Sequence, residues 1–232
     1  MLEALDRSAI KRPTGPVVGD TALTWADAFA PVERNPLLTD PIADLRAALR
    51  AKPALIVHFS GVPKGIGHSR RYPQDLELVL ANPNEILCCS TIEPGDLDRR
   101  PPGATGSVGV VLDPIDEASV VFVHYDDVGS PPSTDERRST DRQTSVADCV
   151  RSFTRDGLFP YNEWLVGPYR VVGLFVGSEA QVQMPDGLYR DVSPADVLND
   201  LGPHRLFSCQ DGQFVELDQG YWRPLVMTSI YP

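Results

Sequence analysis

The chain has 232 residues, 42% of them hydrophobic and 23% charged, and its 32 acidic against 21 basic side chains give a formal net charge of −11. This supports a globular chain of ordinary composition with one full core, and argues against broad phosphate-driven nucleic-acid binding, which needs clustered Lys and Arg. No apolar run is long enough to span a bilayer, and Met1-Leu2-Glu3-Ala4-Leu5-Asp6 lacks the basic and apolar regions of a secretory signal, so a cytoplasmic protein is expected.

The first half reads as short helices leading into strands. Thr24 with Asp27 resembles a capping box, and Asp40-Pro41 opens a helix whose Ile42, Leu45 and Leu49 fall on one face. Pro53 stops it, and residues 54–60 follow as a strand carrying His58. Residues 61–72 form a Gly-bearing basic loop, and 73–81 a short helix with Leu76, Val79 and Leu80 inward. A second strand, 85–91, ends in Ser90-Thr91, and a polar loop leads to strands at 107–112 and 119–125. Residues 129–144 have no apolar pattern and predict a mobile loop or lid.

Ser145 caps a helix burying Val146, Cys149, Val150 and Phe153. Glu163 then opens a β-branched, apolar stretch running to Val176. The C-terminal third is mostly β. Asp186-Gly187 and Asp211-Gly212 each turn one strand back on another, and Ser193-Pro194-Ala195-Asp196 starts a helix that Gly202-Pro203 terminates. The alternation is too irregular for a doubly wound parallel sheet, so a mixed α+β domain is expected over 1–232: helical in 1–53, a core in 54–176, hairpin-rich in 177–232.

Several side chains stand out against this background. A glutamate at the head of an apolar strand either faces solvent, paired to a surface arginine, or lines a cleft where it stabilises a developing cation. His58, between Val57 and Phe59, is either a satisfied core histidine or a donor to a ribose or carbonyl, with Ser60-Gly61 allowing close backbone approach. Lys64, His68, Arg70 and Arg71 form the one basic cluster, suited equally to a pyrophosphate and to a solvated loop. His124 closes a strand. Cys88, Cys89, Cys149 and Cys209 have no C-x-x-C spacing; Cys88-Cys89 read as small core residues, and no metal site is expected.

His58 on a first strand, Ser90-Thr91 on a second and Glu163 opening a later one resemble the three-part signature of the ADP-ribosyltransferase superfamily of NAD-dependent toxins and PARP-like enzymes. Leu55-Ile56-Val57-His58-Phe59-Ser60-Gly61 looks like its His-Gly type of first motif, and Cys89-Ser90-Thr91 like a degenerate Ser-Thr-Ser. The resemblance covers 54–176. It implies a mainly antiparallel split β-sheet with flanking short helices, NAD as substrate, and no metal. Glu163, Ser90 and His58 would be catalytic; His58, Ser60, Gly61, Arg70, Arg71, Ser90 and Thr91 would bind NAD. Arginine-modifying members carry Gln or Glu two residues before the catalytic Glu; Tyr161 stands there, so the acceptor is expected to be another side chain, a nucleic acid or a small molecule. A toxin or effector delivered to a target-cell cytosol, with a cognate immunity partner, fits the same resemblance. Two other classes stay open: a cysteine-dependent hydrolase or acyltransferase using Cys89 or Cys149 with His58 or His124, and a non-catalytic acidic binding protein of the antitoxin or immunity kind.

Overall fold

A computed structural model describes residues 38–59, 79–81, 86–95, 108–124, 144–153, 162–177, 181–183 and 189–232. The first helix, α1 (Ile42–Ala51), buries Leu45 and Leu49 completely, and each such burial contributes about 1.5–3 kcal/mol. Its start differs from expectation. Pro41 occupies the N-cap without a side-chain bond, and Ile42 N donates to Glu117 Oε1 at 2.8 Å, a bond that holds the Glu117 carboxyl below its ordinary pKa. Asp40 serves another helix instead: its Oδ2 accepts from Val146 N at 2.6 Å, at the start of α2 (Val146–Phe153). Ser145 and Asp148 complete that helix's capping box, with Asp148 N donating to Ser145 Oγ and Ser145 N to Asp148 Oδ2.

The described residues include eleven strands, most of them rich in β-branched or aromatic side chains: β1 (Leu55–Phe59), β2 (Leu87–Ile92), β3 (Val108–Pro114), β4 (Val120–His124), β5 (Glu163–Val166), β6 (Tyr169–Val176), β7 (Gln181–Gln183), β8 (Tyr189–Asp191), β9 (Leu206–Gln210), β10 (Gln213–Asp218) and β11 (Tyr221–Pro224). Nine form one sheet in the order β11-β10-β9-β6-β3-β1-β2-β5-β4, antiparallel throughout except for the β6–β9 pair; β7 and β8 form a separate hairpin. The protein is therefore α+β with a mainly antiparallel mixed sheet and a hairpin-rich C-terminal part. Residues 79–81 are the described end of the helix expected over 73–81. The helix α3 (Pro194–Leu201) has the expected cap, Ser193 with Asp196, and ends at Gly202, whose φ is 99°.

The sheet is joined at β2 in two offset halves. Ser90, Thr91 and Ile92 pair with Val57, Ile56 and Leu55 of β1, whereas Leu87, Cys88 and Cys89 pair with Val166, Leu165 and Trp164 of β5. Each ladder stops where the other begins. On the far side, Asp211 and Gly212 have φ of 49° and 70° and close the β9–β10 hairpin as expected of Asp-Gly. Gln219 and Gly220, with φ of 50° and 84°, close a further hairpin into β11, an element not expected from the sequence.

One hydrophobic core runs from Leu38 to Tyr231 and includes Leu49, Val57, Leu112, Trp164, Phe175 and Phe207. The C-terminal residues are pinned into it. The Tyr231 hydroxyl accepts from Ile56 N at 2.9 Å, and Arg50 donates to the Tyr231 carbonyl at 2.6 Å. Asp113, 1% exposed, accepts from Arg46 Nε at 2.8 Å and Arg170 Nη2 at 3.0 Å, and Arg170 also donates to the Ile230 carbonyl. Among the described residues no helix is long and apolar enough to cross a membrane.

Candidate functional site

Because β2 lies between β1 and β5, the strands carrying His58, Ser90 and Glu163 are immediate neighbours. Period-two alternation gives Cys88 and Ser90 one side of β2 and Cys89 and Thr91 the other. The burial agrees: Cys88 and Ser90 are partly open, Cys89 and Thr91 are closed. Glu163 belongs with the partly open set, its Oε1 3.5 Å from Cys88 Sγ. It is not a surface glutamate on an edge strand. β5 sits between β2 and β4, and Glu163 is 7% exposed. Its backbone pairs with His124 of β4.

Ser90 Oγ donates to the Asn162 carbonyl at 2.8 Å, next to Glu163 in the chain. His58 is 6% exposed and lies one residue past the last β1 residue paired with β2; its Nδ1 is 2.7 Å from the Cys88 carbonyl. A carbonyl only accepts, so Nδ1 carries the hydrogen in this bond. Cys88 thus meets both groups, Glu163 through its thiol and His58 through its carbonyl. Cys88, expected from the sequence to be a small core residue, is instead half-buried and lies between Glu163 and His58.

Thr91 departs from its expected place among the NAD-binding residues. It is 1% exposed on the closed side of β2, where its hydroxyl accepts from Asn162 Nδ2 and its backbone N donates to Asn162 Oδ1 at 2.9 Å. Adjacent strand residues point to opposite faces, so Ser90 and Thr91 do not line one surface. Ser60, Gly61, Arg70 and Arg71 lie outside the described residues, as do the basic loop, the segment 129–143 and the turn at Asp186-Gly187.

The Asn162 and Trp164 flanks are expected from the sequence to hold the Glu163 carboxylate rigidly; the residue the sequence does not point to is Ser152. Asn162 Nδ2 also donates to the Ser152 carbonyl at 2.7 Å, and Trp164 Nε1 donates to Ser152 Oγ at 2.9 Å. Both chain neighbours of Glu163 are therefore tied to the last turn of α2, and Phe153 stacks on Trp164 with ring centroids 6.0 Å apart. An Asn immediately before the strand was the available signal; its partners are remote in sequence.

The thiols proposed for a hydrolase are poorly disposed to attack. Cys89 is buried, and desolvation raises its pKa well above the ordinary thiol value; burial likewise pushes Cys149 up to about 12. A thiol held protonated is a weak nucleophile.

No family model matches the chain, and neither a curated protein nor a solved structure does.

Proposed function

We propose that this protein cleaves the nicotinamide–ribose bond of NAD and transfers ADP-ribose to an acceptor, with Glu163 as the essential carboxylate. The observation that carries the reading is the β1-β2-β5 adjacency: the buried Glu163 carboxylate meets the Cys88 thiol on the side of β2 that carries Ser90, and the buried His58, which leaves β1 on the opposite face from Val57 and Ser90, reaches the same strand at the Cys88 carbonyl. Keeping a carboxylate out of water is costly, and a glutamate held so on an interior strand is a candidate for chemistry.

In the proposed reaction the bond between the ribose C1′ and the nicotinamide nitrogen breaks, and its electron pair leaves with nicotinamide. Positive charge develops on C1′ and the ring oxygen. Glu163 stabilises that charge more than the ground state, which lowers the barrier instead of merely tightening binding. The acceptor's nucleophilic atom, or water, then bonds to C1′ and loses its proton. Ser90 orients the ribose, and His58 fixes β2 through the Cys88 carbonyl. The acceptor is a protein side chain other than arginine, a nucleic acid or a small molecule, and a toxin or effector role with an immunity partner is part of the same reading.

The test is Glu163→Gln, which keeps shape and removes the charge. NAD turnover is expected to fall by at least about 100-fold, roughly 2.7 kcal/mol, with an unchanged circular dichroism spectrum. Turnover within about tenfold of the parent, roughly 1.4 kcal/mol, would refute the role of Glu163.

A further inference from the structure

The β2–β5 ladder ends at the Cys89–Trp164 pair, one residue short of Glu163. Beyond it β2 turns its backbone bonding toward β1, so the strand bearing Glu163 would be held from one side only. The Asn162 side chain takes over where the ladder stops. Its Oδ1 accepts from Thr91 N at 2.9 Å, as a backbone carbonyl of β5 would; its Nδ2 donates to the Thr91 hydroxyl and to the Ser152 carbonyl at the end of α2. Its own carbonyl receives the Ser90 hydroxyl. One amide thus links β2, β5 and α2 in a buried position, 1% exposed. Satisfied networks of this kind, shielded from water, fix geometry strongly.

We propose that Asn162 is the positioning residue of the site: its amide sets the Glu163 backbone, and through its carbonyl the Ser90 hydroxyl, in the geometry NAD cleavage requires. This rests on the proposed function. Asn162 does not touch the substrate, and its contribution is orientation. A displacement of about 1 Å at a reacting group costs on the order of 100-fold in rate, so the effect belongs in kcat. Thr91 acts in the same unit through its hydroxyl, which explains why a threonine on the closed face follows Ser90 on the open one.

The experiment compares Asn162→Ala, Asn162→Asp, Thr91→Val and Thr91→Ser. Asn162→Asp keeps the acceptor for Thr91 N and loses both Nδ2 bonds; Thr91→Val removes only the hydroxyl, and Thr91→Ser restores it. Expected are a fall in kcat of at least about tenfold with KM within about twofold for Asn162→Asp and Thr91→Val, and recovery in Thr91→Ser. A readout independent of activity is the carboxyl 13C resonance of Glu163, assigned by its loss in Glu163→Gln; it is expected to shift in Asn162→Asp and Thr91→Val and to return in Thr91→Ser. If Asn162→Ala fails to fold, Asn162→Asp and the Thr91 pair carry the test. Unchanged kcat and an unmoved resonance in the folded variants would overturn the positioning role while leaving Glu163 in place. A parent that does not turn over NAD would overturn the proposed function instead, and the resonance would still decide whether Asn162 orients Glu163.

Discussion

Removing the Tyr231 hydroxyl probes how the chain's last residues are built into its core. Tyr231 is fully buried, and its oxygen accepts from Ile56 N, a main-chain donor inside β1. Tyr231→Phe keeps the ring and strands that buried N–H, which costs about 1–3 kcal/mol. With a urea m-value of roughly 2 kcal/mol/M, the unfolding midpoint should fall by about 1 M at constant m. Tyr231→Ala adds the cavity left by the ring and should cost about 3–5 kcal/mol. The phenol also sets an alkaline limit. Burial raises the Tyr231 pKa above its ordinary value of 10.0, and burial raises those of Cys89 and Cys149 above 9.0. For a raised pKa the stability is whole below the unfolded-state value; above it the unfolded chain loses its proton while the folded chain keeps it. Stability should therefore fall from about pH 9, by about 1.4 kcal/mol per pH unit for each such group, and Tyr231→Phe should remove one group's share above pH 10. Urea titrations of parent and variant at pH 7, 9, 10 and 10.5 measure both effects. A Phe variant within about 0.5 kcal/mol of the parent at pH 7, with the same alkaline slope, would refute the anchoring role.

Asp113→Ala should cost about 2–3 kcal/mol, less than a fully buried ion pair would, because Arg170 is half-exposed and its charge can return to water; thermal unfolding with a loss under about 1 kcal/mol would show that the two arginines do not depend on it. Gly109→Ala should destabilise the β1–β3 pair, since a Cβ there would stand 2.6 Å from Val57 Cγ1, 2.7 Å from the His58 carbonyl and 2.9 Å from the Phe59 ring. The carbonyl is backbone in a ladder and cannot swing aside, so an unfolding midpoint equal to the parent's would mean that β3 does not lie this close to β1.

Much of the framework was legible because local chemistry decided it. Ser145 with Asp148 and Ser193 with Asp196 satisfy their own helix ends within four residues, and Asp211-Gly212 adopts the positive φ pair its hairpin needs. The errors came where a side chain serves a distant segment. Asp40 precedes a proline at a helix start, yet it caps α2, 106 residues away; Glu117, from a turn between two strands, caps α1. The burial of Ile230 and Tyr231 depends on Arg50, Arg170 and Ile56, which no short window contains. Thr91 is a different case. Alternation along a strand already forbids it the face that Ser90 uses, and pairing the two as one motif set that rule aside.

The candidate site lies where β2 changes partners, and this accounts for its composition. A strand paired on both sides along its whole length has its carbonyls and amides committed to neighbours. In β2 the commitment switches at Cys89–Ser90, so side chains complete the bonding: the His58 ring at the Cys88 carbonyl, the Asn162 amide at Thr91 N. Glu163 stands at the head of β5, where this switch occurs. Polar residues inside apolar strands are then required by the topology as well as by any chemistry. His58 and Asn162 meet that structural demand, and glutamine at 163 preserves side-chain length and an acceptor for the Cys88 thiol while removing the charge, so Glu163→Gln separates the charge from the strand geometry those two residues hold.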